Sequence, residues 1–181
     1  MALPLDPLIA DMEQPDLRRA IERYHVECFG WALACCGRDR EQAEDVLQAS
    51  YLKILDGRAR FDERSSVKTW IFGVIRRTSR EERRRSLLRL RLWETHATVS
   101  FPQLVEQPAI DAMDNVRRST ALLDALSALA PRQREVLHLV FYHDMTIEEA
   151  ATVMQVSIGT ARTHYERGKA HLRTRLGREE R

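Results

Sequence analysis

The chain has 181 residues, of which 44% are hydrophobic and 31% charged, and its formal net charge at pH 7 is +2. This balance excludes a disordered tail and allows one ordinary domain or two small helical ones. Gly and Pro are sparse, at 7 and 6 residues, and alternating runs of β-branched residues are absent, so we expect an all-α protein.

Charge is distributed in blocks along the chain. Residues 76–91 hold eight Arg and two Glu, whereas residues 92–116 hold four acidic residues and no Lys or Arg. Arg suits bidentate contacts with phosphate and guanine, which makes the basic block a candidate nucleic-acid surface. The simpler alternative is a solvated helix end whose arginines pair with Glu81 and Glu82.

The first half of the chain predicts three packed helices. The first spans residues 17–34 and has one broad apolar face. Asp39 is placed to cap the second helix, residues 41–55. Ser65 or Ser66 is placed to cap a third, long helix that runs into the arginine block. These helices are expected to bury a common core.

The second half predicts four shorter helices. Residues 117–128 have a helical apolar period, and Pro131 suits the start of the next helix. Thr146 and Glu149 have the spacing of a capping box for a third helix. The apolar pattern then breaks at Gln155, where a left-handed residue is needed, at a cost of up to about 1 kcal/mol for a non-glycine side chain.

Residues 146–176 as a whole predict a helix-turn-helix. Ser157 is a good N-cap for the second of its helices. That helix hides an apolar residue every three to four positions and exposes basic and hydroxyl side chains: Thr160, Arg162, Thr163, His164, Arg167 and Lys169. Such a helix is typical of major-groove reading.

Residues 92–116 include two prolines and show no sustained period, so they are expected to form a flexible linker. The expected fold is therefore two small helical domains, at residues 1–91 and 117–181, joined by this linker.

Four segments carry a family resemblance. They are AEDVLQASYLKI (43–54), FDERSSVKTWIFGVIRR (61–77), ALAPRQREVLHLVFYHDMTIEEAA (128–151) and VSIGTARTHYERGKAHLRTRL (156–176). In this order they resemble bacterial RNA polymerase sigma factors of the compact, two-domain extracytoplasmic-function (ECF) type. The resemblance implies a three-helix region-2 domain and a four-helix region-4 domain. It also implies a non-enzymatic protein, without cofactors, that brings core polymerase to promoters and promotes DNA melting.

The resemblance assigns roles residue by residue. Asp45 and Gln48 would face the clamp helices of the polymerase largest subunit. The loop and long helix that follow would capture a flipped base and contact the separating strands at the −10 element, through Phe61, Asp62, Arg64, Ser65, Ser66, Arg76, Arg77 and Arg80. The reading helix would enter the major groove at the −35 element through Thr160, Arg162, Thr163, Arg167 and Lys169.

The resemblance predicts how the protein is regulated, whereas its cysteines and its hydropathy predict where it is located. The resemblance implies control by an anti-sigma factor. Three cysteines within one segment, Cys28, Cys35 and Cys36, argue against a disulfide framework and for a reducing compartment. No apolar run reaches membrane-spanning length, and the acidic, proline-containing start is unlike a signal peptide. We therefore expect a cytoplasmic protein with no membrane insertion of its own.

Two other classes of protein remain as alternatives. One is a one-component helix-turn-helix regulator whose first domain senses a metal or an oxidant through His25 and the cysteines, although plain packing of these residues is favoured and no metal site is expected. The other is an enzyme, against which stands the lack of a phosphate-binding loop, a metal-binding pair or a nucleophile elbow. His138 and His143 are expected near a helix end, in a capping or solvent-exposed role.

Overall fold

The computed structural model describes residues 14–93, 125–126 and 128–179. Within these ranges the chain is helical with no strand, which confirms the all-α prediction. The helices are α1 (Gln14–Cys35), α2 (Arg40–Leu55), α3 (Val67–Trp93), α4 (Pro131–Tyr142), α5 (Ile147–Met154) and α6 (Ile158–Glu179). The predicted helix at 117–128 lies almost wholly outside the described residues, as does nearly all of the predicted linker.

Helices α1, α2 and α3 pack together as the first half of the chain predicts. Trp31 is central, because its indole Nε1 donates to the Phe72 carbonyl at 3.0 Å and its ring stacks on that of Phe72. Asp39 caps α2 by accepting from the Gln42 amide at 3.0 Å. The backbone turns between α1 and α2 through Gly37, whose φ of +66° a glycine adopts without strain.

Helices α4, α5 and α6 form the second group. Thr146 and Glu149 make the predicted capping box, in which the Thr146 hydroxyl accepts from the Glu149 amide at 3.1 Å and the Glu149 carboxylate accepts from the Thr146 amide at 2.9 Å. Gln155 ends α5 with φ 54° and ψ 50°, so the left-handed turn expected there is confirmed. Ser157 then caps α6 by accepting from the Thr160 amide at 3.1 Å.

The two groups of helices also pack against each other. Helix α3 lies against α5, and α1 touches α4. The buried apolar side chains of both groups form one continuous cluster. Polar contacts cross the same boundary, since Lys68 donates to the His143 carbonyl at 3.2 Å and Thr69 Oγ1 donates to the Glu149 carboxylate at 3.4 Å. In this arrangement the two predicted domains are therefore in direct contact.

This contact changes the expected surroundings of the residues at the end of α4. His143 does occupy a helix C-cap position, but its side chain is only 3% exposed, so the expectation of a solvent-exposed role is wrong for it. The ring is buried because it packs against Phe72 and Trp31 of the first group of helices.

Candidate nucleic-acid interface

The reading helix α6 presents most of its predicted contact residues to solvent. Thr160, Arg162, Thr163 and Arg167 are all exposed. The Thr163 hydroxyl donates to the Gly159 carbonyl at 2.9 Å, which leaves its oxygen free to accept. These side chains lie on the first three turns of the helix, which is the part of a recognition helix that meets base edges.

Lys169 differs from these four residues. Its side chain is half-buried, and its ammonium lies 4.8 Å from the centre of the Tyr165 ring and 3.8 Å from the Glu166 carboxylate. Both interactions hold the lysine against its own helix. A contact with DNA by Lys169 would therefore compete with these neighbours.

Close packing fixes the position of α6 against α4. A Cβ atom added at Gly168 would lie 2.8 Å from Leu137 Cδ1 and 3.3 Å from Gln133 Cβ, so only glycine fits this crossing without a shift. Nearby, the Phe141 and Tyr165 rings stack with centroids 5.9 Å apart. The packing of α6 against α4 therefore fixes the orientation of its exposed face.

The loop before α3 holds the residues predicted to capture a base. Phe61 is half-buried and packs on Trp70 with ring centroids 5.2 Å apart. Asp62 accepts from the Arg64 amide at 3.4 Å, and both side chains are exposed. Ser66 caps α3 by accepting from the Thr69 amide at 3.2 Å, so one acceptor position of its hydroxyl is occupied. Ser65 is half-buried beside it.

Helix α3 carries the arginine block, and most of it points outward. Arg77 and Arg80 are exposed, as are the next arginines along the helix up to Arg89. Both acidic residues in the block are paired, Glu81 with Lys53 at 2.6 Å and Glu82 with Arg85 at 2.8 Å. The remaining surface of this half of α3 is therefore strongly cationic.

Arg76 requires a correction. The sequence assigned it to phosphate or base contact, but its side chain is only 3% exposed. The guanidinium makes a bidentate pair with Glu135 of α4, through Nε to Oε1 and through Nη2 to Oε2 at 3.2 Å, and Arg132 donates to the same carboxylate at 3.0 Å. While α4 lies against α3, Arg76 cannot reach DNA.

The residues predicted to face polymerase lie on the outer side of α2. Asp45 and Gln48 are both exposed. Gln48 also lines an open groove of about 470 Å³ between α1 and α2, together with Phe29, Tyr51 and Leu52. Leu52 is 53% exposed and adds apolar surface beside Gln48. Leu52 is not among the residues that the resemblance predicts to face polymerase.

The cysteines do not form a reactive or metal-binding group. All three are free thiols, and Cys28 is fully buried. Burial raises the pKa of the Cys28 thiol to about 12 and that of Cys36 to about 11, and it also raises the pKa of Cys35. Such thiols stay protonated at neutral pH, which makes them poor nucleophiles. Across the described part of the chain, no three His, Cys, Asp or Glu residues are grouped as a metal site would require.

Comparison with known proteins identifies the family. The pattern of Sigma-70 region 2 matches residues 17–87, and that of Sigma-70 region 4 matches residues 119–172. RNA polymerase sigma factor CarQ of Myxococcus xanthus is 30% identical over 146 residues, which cover 80% of each chain. The chain belongs to the RNA polymerase sigma factors. ECF sigma factor SigX of Bacillus subtilis is 29% identical over 161 residues, covering 86% of this sigma factor and 80% of SigX.

Solved structures confirm the fold of this sigma factor. The sigma factor RpoE, in complex with the anti-sigma factor NepR from Bartonella quintana, matches with a TM-score of 0.70 at 22% identity, over 90% of this chain and 97% of that one. CnrH, in complex with the cytosolic domain of CnrY, matches with a TM-score of 0.59 at 21% identity, over 92% and 90% of the two chains.

The assignment decides the function at the level of the family. As an ECF sigma factor, the chain binds core RNA polymerase and promoter DNA and directs transcription initiation. Both halves of the chain match sigma regions, so a one-component regulator is not favoured. The family is one of non-catalytic initiation factors. In the described part of the chain no helix is long and apolar enough to cross a bilayer.

Proposed function

We propose that α6 reads the −35 element and that the loop of residues 56–66, with the outer face of α3, holds the −10 element. The observation that carries this assignment is the pair of exposed cationic surfaces, one on each sigma region. Thr160, Arg162, Thr163 and Arg167 supply bidentate donors and hydroxyl groups that suit base edges in a major groove.

The −10 contact uses a different chemistry. Phe61, already held against Trp70, offers a ring on which an unstacked base can pack, and Asp62, Arg64 and Ser65 surround it with polar groups. Arg77 and Arg80 on the next helix contact phosphates of the strand that is being separated. Ser66 contributes mainly by capping α3, and Arg76 joins this surface only after α4 has moved away.

Asp45 and Gln48 provide the contact with core polymerase. The apolar groove beside them adds buried area, and the exposed Leu52 gives that interface an apolar anchor. Binding polymerase through region 2 raises the effective concentration of both DNA-reading surfaces at the promoter. This sigma factor itself makes and breaks no covalent bond and uses no cofactor; its binding energy holds the unpaired strand.

An anti-sigma factor regulates this chain in the cytoplasm. Support comes from RpoE and CnrH, whose solved structures are complexes with the anti-sigma factor NepR and with the cytosolic domain of CnrY. Such a partner would act by covering the surfaces named above. Recovery of polymerase, but never of a small protein, with this sigma factor from its own cells would contradict the proposal.

The DNA and polymerase assignments are tested by transcription in vitro with core polymerase and a library of randomised promoters. Arg162→Ala and Arg167→Ala should each relax the −35 preference, because a base contact contributes about 1–3 kcal/mol of discrimination. Arg173→Ala removes an equally exposed arginine further along α6 and should leave the preference intact. Unchanged −35 preference in both Arg162 and Arg167 variants would refute the role of α6.

Polymerase binding is measured separately. Asp45→Arg should weaken association with core polymerase, since the carboxylate is proposed to meet a basic surface. Glu41→Arg makes the same charge change at another exposed position of α2 and serves as its control. Equal affinities of the two variants would remove Asp45 from the interface.

A further inference from the structure

Two histidines lie at the contact between the sigma regions. His138 belongs to α4, and its ring stacks on Trp31 of α1 with centroids 5.7 Å apart. His143 follows α4 and meets the Phe72 ring of α3 edge-on, at 4.7 Å. The rings of His138 and His143 also touch each other, with centroids 5.0 Å apart. The packing of both imidazoles therefore depends on region 2 staying against region 4.

The surroundings of the two rings suit neutral imidazole. The Nε2 atoms of both histidines are buried without a hydrogen-bond partner among the described residues. Burial, reinforced by nearby positive charge, lowers the pKa of His138 to about 4 and that of His143 to about 3. A proton on Nε2 of either ring would therefore have no acceptor among the described residues in the closed arrangement.

Charged groups of both signs lie around the pair, and the two that lower the pKa of the rings are cationic. Arg38, in the turn after α1, faces His138, and Lys68 of α3 lies beside His143 and donates to its carbonyl. Glu27 of α1 is a nearby anion, whose Oε1 is paired with Lys68 at 3.0 Å and whose Oε2 is buried without a hydrogen-bond partner among the described residues. On α5, Glu149 is engaged by Thr69 and by its own helix cap. Arg38 and Lys68 therefore disfavour a proton on either ring.

The same contact controls access to α3. Closure buries Arg76 against Glu135, so the first part of α3 is covered for as long as the domains touch. Separation of the domains would return Arg76 to solvent. The two histidines and this ion pair therefore belong to one interface between the two regions.

We propose that His138 and His143 form a pH-sensitive latch, which holds regions 2 and 4 together while both rings are neutral and releases them when the rings take up protons. Release exposes Arg76 and the adjoining face of α3. The role of that exposed face in −10 binding rests on the proposed function, whereas the latch itself does not.

The direction of the pH effect follows from the two states. In the open state each ring titrates near its ordinary pKa of about 6.5. Closure is therefore fully favourable above about pH 6.5 and weakens below it, by up to about tenfold per histidine for each pH unit, until the lowered pKa values are reached. Burial raises the pKa of Glu135 in the closed state, so its titration acts in the opposite sense. Comparing the histidine variants with the unaltered chain separates the effect of the two histidines from that of Glu135.

The test uses small-angle X-ray scattering of the full chain, from about pH 8 to about pH 5. The radius of gyration should rise below about pH 6.5 while far-ultraviolet circular dichroism shows unchanged helicity. His138→Phe/His143→Phe keeps aromatic packing and should stay compact throughout. His171→Gln, at an exposed position of α6, should expand like the unaltered chain.

Three outcomes would overturn the latch: a radius that does not change with pH, an equal expansion of the double variant, or loss of helicity at the same pH as expansion. If the double variant does not fold, His138→Phe alone provides the test. It should lower the pH dependence of the equilibrium between closed and open chains from about a hundredfold to about tenfold per pH unit. An unchanged slope would overturn the proposal. The scattering measurement contains neither polymerase nor promoter DNA. Its result therefore does not depend on whether the transcription experiments support the proposed function.

Discussion

Helices α3 and α6 are both predicted to contact DNA, but the structure presents them differently. On α6, the residues Thr160, Arg162, Thr163 and Arg167 all face solvent. On α3, the arginines from Arg77 onward are exposed, whereas Arg76 is sealed against Glu135 of the other domain. The proposed −35 reader is therefore exposed in the closed chain, while Arg76, part of the proposed −10 surface, is covered by the other domain.

The largest expected effect comes from breaking the ion pair between Arg76 and Glu135, which covers part of α3. Glu135→Ala leaves the Arg76 guanidinium buried without its carboxylate, which costs about 3–5 kcal/mol in a closed arrangement. Urea denaturation should show a lower free energy of unfolding, or two separate transitions as the domains come apart. Glu148→Ala, at an exposed position of α5, is the control and should change little. A single transition with an unchanged midpoint in the Glu135 variant would mean that the pair does not hold the domains together.

The availability of α6 is tested by DNA binding. Arg162→Ala should weaken binding of the polymerase holoenzyme to a −35 duplex by about 1–3 kcal/mol. Arg77→Ala, on α3, should leave binding of this duplex unchanged because the duplex contains no −10 element. Anisotropy titrations at several salt concentrations measure both effects and separate phosphate contacts from base contacts. Equal losses of affinity for the −35 duplex in the two variants would contradict the proposal that α6, and not α3, binds it.

Helix α6 packs against α5, so its position depends on the capping box that begins α5. Thr146→Ala removes one half of the capping box and should lower the free energy of unfolding by about 1 kcal/mol. Thr152→Ala, at an exposed position of the same helix, removes a hydroxyl that bonds only to the Glu148 carbonyl and should cost less. Thermal unfolding of both variants gives the comparison, and a greater loss for Thr152→Ala would contradict the role of the box.

The smallest expected effect is a gain at the turn between α5 and α6. Gln155→Gly relieves the left-handed backbone and should stabilise the chain by up to about 1 kcal/mol. Gln155→Ala keeps a Cβ in the same conformation and should bring no such gain. Denaturation midpoints of the two variants measure the difference, and a gain for alanine equal to that for glycine would show that the turn is not strained.

Local features could be predicted from the sequence because neighbouring residues produce them. The cap at Asp39, the box formed by Thr146 and Glu149, and the left-handed residue at Gln155 each involve groups within a few positions of one another. The family resemblance could likewise be read from short segments in order. The exposure of Thr160, Arg162, Thr163 and Arg167 follows from the helical period of α6, whereas His164 and Lys169, which the same period predicts to be exposed, are half-buried.

The environment of several site residues could not be predicted in this way. Arg76 and Glu135 are 59 positions apart, and Lys68 and His143 are 75 apart. Periodicity places Arg76 on a helix but cannot say which helix of another domain covers it. For the same reason the sequence predicts a capping or solvent-exposed role for His143, whereas Trp31 and Phe72 enclose its ring at the helix C-cap.

The sequence by itself therefore determined that this protein is all-α, where most of its helices begin, that it resembles sigma factors, and that Thr160, Arg162, Thr163 and Arg167 of α6 face outward. These properties depend on local propensity, capping and period, which act over a few residues. Only the tertiary structure decided that Arg76 is buried, that His138 and His143 lie between the regions, and that α3 is partly covered. Those properties depend on which apolar and charged surfaces meet across the chain, and burial then sets the cost of every charge placed there.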